Sequence, residues 1–129
     1  MIIIELLKRL FAPKPSEVSF DASLIIKKEW EAIDTLLEQG GPVKLTQALI
    51  SADRSLDIAL KELVAGENLG ERLKNSKHRF RDDLYNKIWK AHKMRNNLVH
   101  EALFEVPHFA IKDAINDLRE GLRFLKQKI

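Results

Sequence analysis

Cysteine is missing from all 129 residues, which excludes disulfides, thiolate zinc sites and cysteine nucleophiles. Five glycines and four prolines leave few interruptions, and most fall together, at Pro13-Lys14-Pro15 and Gly40-Gly41-Pro42, so long segments remain free for helix. No apolar run reaches the roughly 20 residues that a membrane-crossing helix needs. Strand signals are equally scarce. Val99 to Val106 alone has some β-propensity, and a segment that short between two helices makes no sheet. The four histidines, at 78, 92, 100 and 108, form neither a His-x3-His pair nor a His-Glu-x-x-His helix, so neither a metal nor a cofactor is expected.

What is present is helical periodicity and unevenly placed charge. The formal net charge is only +3. Residues 72 to 95 nevertheless carry nine Lys or Arg against two Asp, a net of +7, which leaves −4 for the rest of the chain. Such a basic stretch is either a solvated helix face or a surface for a polyanion.

The chain divides into an N-terminal amphipathic segment with its hinge, residues 1–20, and a helical domain, residues 21–129. Ile2, Ile3, Ile4, Leu6, Leu7, Leu10 and Phe11 accompany Lys8 and Arg9, in a pattern that suits a helix docked on its own domain or on a dimer mate, or a membrane-surface anchor. Without the features of a secretory leader the expected location is cytoplasmic. Asp21 is the expected N-cap of a helix that buries Leu24, Ile26, Trp30, Ile33 and Leu37 and stops at Gly40-Gly41. Pro42 opens the next, whose stripe of Leu45, Leu49, Ala52, Leu56, Ala59, Leu60 and Leu63 is the cleanest in the chain. Residues 67 to 79 predict a short helix and a connection. Phe80 to His100 is a long helix, and a last one from about Pro107 buries Ile111, Ile115, Leu118, Leu122 and Leu125. The fold class is all-α, an up-and-down bundle of four to five helices.

One residue breaks the pattern. Counted at 100° per residue from Leu84, the residues Ile88, Ala91, Leu98 and Val99 fall within about 60°, and Arg95 lands in the middle of their stripe. An unpartnered guanidinium there would cost several kcal/mol, so it must meet a carboxylate, carbonyls, a wet interface or an anionic ligand. Asp53 and Asp57 share one flank of the preceding stripe and are the candidates to face it. Trp89 lies about 140° from Leu84, on the flank of Asn96 and His100, where a dimer or nucleic-acid contact fits. His92 and His108 read as surface or capping groups.

A helical bundle whose penultimate helix closes on Arg95-Asn96-Asn97-Leu98-Val99-His100, followed by a single further helix, resembles the HEPN superfamily of nucleotide- and RNA-associated domains, marked by Arg-x4-to-6-His. Arg72 and His78 also meet that spacing, but Arg95 has the polar Asn96 after it and the expected place in the helix order. The resemblance implies a metal-independent endoribonuclease of toxin or defence type, a homodimer with both motifs in one basic cleft, and an antitoxin as partner. It implies that Arg95 holds the scissile phosphate, His100 moves the 2′-hydroxyl or leaving-group proton, Asn96 orients them, and Asp53 or Asp57 steadies the guanidinium, with 2′,3′-cyclic phosphate products. Lys93, Lys90, Arg81 and Trp89 are the substrate-binding candidates. HEPN toxins that are modified on a tyrosine two residues after the histidine differ here, since this chain has Ala102. The other reading is a noncatalytic interaction or nucleotide-binding domain, in which Arg95 is an interhelical ion-pair partner and His100 a C-terminal cap.

Overall fold

A computed structural model describes residues 3–4 and 13–129. The expectations for residues 2–11 otherwise lie outside the described residues. Five α-helices and one 3₁₀ turn make up the described chain: α1 (Phe20–Gln39), α2 (Pro42–Leu63), α3 (Leu69–Asn75), the turn Lys77–Arg79, α4 (Asp82–His100) and α5 (His108–Phe124). The described residues contain no strand, and the fold is an all-α bundle. Among them no helix is long and apolar enough to cross a membrane.

α1 and α2 form a hairpin about Gly40 and Gly41, whose φ values of 68° and 89° are ones that a side chain would resist. α1 packs on α2, α2 on α5 and α5 on α4, and a further α2–α4 contact closes the bundle. α2 therefore touches every other described α-helix, and its predicted stripe from Leu45 to Leu63 is buried throughout. The α5 stripe is buried as predicted, from Ile111 to Leu125.

Differences from expectation lie at helix ends. The N-cap of α1 is Ser19, not Asp21: its hydroxyl accepts from the Ala22 N–H at 3.2 Å, while its own N–H and O–H donate to Glu62 at 2.7 and 2.9 Å. Leu24 near the start of α1 and Val99 near the end of α4 are exposed. Leu24 lies about 150° from the centre of the Ile26, Trp30, Ile33 and Leu37 stripe, and Val99 sits at the edge of its own.

The core holds one buried polar link. The Trp30 indole N–H donates to Ser55 Oγ at 3.0 Å, and Ser55 in turn donates to the Ala52 carbonyl at 2.7 Å. Both side chains are buried. Ser55→Ala strands the indole donor, and urea denaturation of that variant is expected to show a loss of about 1–3 kcal/mol.

Candidate functional site

The helical repeat of α4 places His92, Arg95 and Asn96 on one face, at spacings of three and four. α2 presents Asp53 to that face from the flank of its apolar stripe. Its carboxylate is nearly sealed, with 5% of the side chain exposed. His92 Nδ1 lies 3.1 and 3.0 Å from the two carboxylate oxygens, and Arg95 Nε lies 3.7 Å from Asp53 Oδ2.

The polarity of this cluster follows from its fixed ends. Arg95 Nη1 can only donate, and it donates to Asn96 Oδ1 at 3.1 Å. That sets the Asn96 amide nitrogen toward His92 Nε2, 3.4 Å away, so Nε2 is the accepting nitrogen. Nδ1 therefore carries the proton and donates it to Asp53. The sequence of donations runs from Arg95 to Asn96 to His92 to Asp53, and it leaves the Nε2 lone pair held only by a long contact.

Arg95 is incompletely satisfied. Its Nε is shielded from solvent yet has no hydrogen-bond partner among the described residues, while 30% of the side chain remains exposed. Together with Asp53, His92, Asn96, Asn68 and Lys93 it lines a groove of about 700 Å³ between α2, the start of α3 and α4. Half-buried Trp89 forms part of the same wall, edge-on to His92 with ring centres 5.9 Å apart and to Tyr85 at 6.4 Å. Lys93 Nζ sits 5.9 Å from the Trp89 ring centre, a cation–π contact. Trp89 and Lys93 also border a second groove of about 920 Å³, with Lys74 and Lys90 around an apolar floor that includes Met94 and Phe104. Lys90 and Lys87 face Asp117 on α5, whose carboxyl is pushed above its usual range by burial and pulled back by the two lysines.

Of the residues singled out from sequence, Arg95, Asn96 and Asp53 come together, with Lys93 and Trp89 beside them. Asp57 lines the same groove but does not pair with Arg95. It receives Arg72 instead, through Nε at 2.6 Å and Nη2 at 3.2 Å, while Arg72 Nη1 donates to the Gly66 carbonyl at 2.6 Å. Gly66 permits that approach with a φ of 149°, and a Cβ there would come within 2.8 Å of the Arg72 side chain. Arg72, the alternative motif arginine, is thus fully engaged in architecture. Arg81 sits at the N-cap position of α4 beside Asp83 and over the Phe124 ring, about 20 Å along the axis from Arg95. His100 is the exposed last residue of α4, about 7.5 Å along the axis and about 140° round from Arg95.

His92 is the residue that sequence reasoning missed. It is a half-hidden member of the cluster, only 12% exposed, rather than a surface group. Its signal was the three- and four-residue spacing to Arg95 and Asn96. The two arginine pairs should separate in stability measurements. Urea denaturation is expected to show a loss of about 3 kcal/mol for Arg72→Met, which orphans Asp57, but less than about 1 kcal/mol for Arg95→Met, whose ion pair is long and partly solvated.

No protein-family model matches the chain, and no curated protein or solved structure matches it either.

Proposed function

We propose that the chain is a HEPN-like RNA-associated domain acting as a metal-independent endoribonuclease, with Arg95 as the residue that grips the scissile phosphate. The observation that carries this reading is the Arg95 guanidinium. It lines a solvent-open groove with 30% of its side chain exposed, and its one side-chain hydrogen bond among the described residues goes from Nη1 to Asn96. A forked, permanently charged group in that condition matches the paired oxygens of a phosphodiester. The position of Arg95 late in α4, with one helix after it, agrees with the HEPN layout, and Lys74, Lys90 and Lys93 give the adjoining groove a cationic rim suited to a nucleic-acid backbone.

The homodimer that this likeness implies has a candidate surface at the end of the bundle that holds His100. Val99, Leu103 and Phe109 are exposed there, Leu103 at 95% and Phe109 at 69%. Grouped apolar side chains of this size favour burial against a second surface. A membrane contact by residues 2–11 and an antitoxin partner belong to the same reading only as its outer associations.

A second reading has its own support. Arg95 approaches the buried Asp53 at 3.7 Å, which suits a noncatalytic helical domain that binds a nucleotide, RNA or protein and uses Arg95 as a strut. The experiment that divides the two is cleavage of end-labelled single-stranded RNA in EDTA. The catalytic reading expects 2′,3′-cyclic phosphate ends, and a fall of about 10²- to 10³-fold for Arg95→Ala at unchanged fold. RNA retained but left intact by the wild-type chain would establish the noncatalytic reading in its place.

A further inference from the structure

The HEPN-like pattern implies proton transfer by His100, and the geometry places a second imidazole, His92, beside Arg95. We infer that Asp53, His92, Asn96 and Arg95 form a site for an RNA phosphodiester, in which His92 Nε2 takes the 2′-hydroxyl proton. This rests on the ribonuclease reading above and specifies its base.

Three observations carry the inference. His92 stands on the same face of α4 as Arg95 and Asn96, whereas His100 is the exposed last residue of the helix, about 140° round from Arg95. The Asp53 carboxylate holds Nδ1–H at 3.0 Å, which fixes the ring and leaves Nε2 as a lone pair at the groove. An imidazole oriented by a buried carboxylate is the arrangement that a general base requires. Finally, the Asn96 amide is 3.4 Å from Nε2, a contact weak enough for a hydroxyl to displace, and the partly exposed Arg95 side chain lines the same groove.

With RNA in the groove, the Arg95 guanidinium binds the non-bridging phosphate oxygens. His92 Nε2 accepts the 2′-hydroxyl proton, and the freed oxygen pair forms the O2′–P bond. The P–O5′ bond breaks with its electron pair going to O5′, which takes a proton from water. The imidazolium then returns its proton to the hydroxide so formed, leaving a 2′,3′-cyclic phosphate and a 5′-hydroxyl. Asp53 and Asn96 act as positioning residues.

The test compares kcat on end-labelled single-stranded RNA in EDTA for wild type, His92→Gln and His108→Ala, with circular dichroism to check the fold. The expected result is a loss of about 100-fold or more for His92→Gln, and a rate within about threefold of wild type for His108→Ala, because that exposed residue lies outside the groove. Should His92→Gln fail to fold, long-range ¹H–¹⁵N spectra of the wild-type chain supply the second measurement. They should show the Nδ1-protonated tautomer of His92, with its Nε2 signal moving on addition of uridine 3′-monophosphate. Cleavage that survives His92→Gln, an equal loss in both variants, or an Nε2-protonated ring unmoved by the nucleotide would overturn the role of His92 and leave the ribonuclease reading standing. Absence of cleavage by the wild-type chain would overturn both.

Discussion

A single carboxylate ties the core of this bundle to the groove that Arg95 and His92 line. Asp53 projects from α2, the helix whose buried stripe is apolar apart from Ser55, and it is the counter-group for two residues of α4. A carboxylate so deeply placed needs partners to offset its lost hydration. It has one good partner, the His92 ring, and one distant partner, Arg95. Because the imidazole takes the hydrogen-bonding positions, the guanidinium is held near the carboxylate without being consumed by it.

The contrast with Arg72 shows what full satisfaction looks like in the same chain. Arg72 gives two hydrogen bonds to Asp57 and one to a backbone carbonyl, and 8% of its side chain is exposed. Its geometry uses the planar fork for architecture, clamping the loop after α2 to α3. Arg95 has the same chemistry and a comparable carboxylate within reach, yet its single firm hydrogen bond goes to the adjacent residue of its own helix. Two buried-facing arginines of one small domain thus divide between strut and open donor. Under the RNA-directed reading, that division is the reason the phosphate is sought at Arg95 and not at Arg72.

How far this was legible in the sequence follows from what periodicity encodes. The stripes of α2 and α5 are long and uninterrupted, so their angle alone identifies the buried residues. Arg95 stood out for the same reason, as a charge at an apolar angle, and Asp53 stood out as an acid on a flank. Which of Asp53 and Asp57 meets which arginine depends on the axial offset between helices. A wheel omits that quantity, and it is set by the α2–α3 loop through the backbone freedom of Gly66. Leu24 was misplaced because it adjoins the apolar run without sharing the angle of its stripe, and Val99 because it sits at the edge of its own. His92 escaped notice because a histidine at 80° from the stripe centre is equally at home in water, and only the arrival of Asp53 from another helix turns it inward.

The two grooves that meet at Trp89 and Lys93 differ in character, and under the RNA-directed reading the difference has a use. The smaller is lined by donors, acceptors and the Arg95 fork; the larger has an apolar floor with Lys74, Lys90 and Lys93 at its rim. A nucleotide strand has the same division, charged phosphates alternating with flat apolar bases. A base laid on the larger floor gains stacking and dispersion without sequence preference, and its linked phosphate then reaches the smaller groove by the short step around the Trp89 edge. Binding energy gathered away from the reacting bond would in that way orient the phosphate against Arg95 and the ring of His92. Trp89 is half-buried, braced by Tyr85 and His92 rather than free to turn, so the wall between the grooves is set before any strand arrives and little ordering is left to oppose binding.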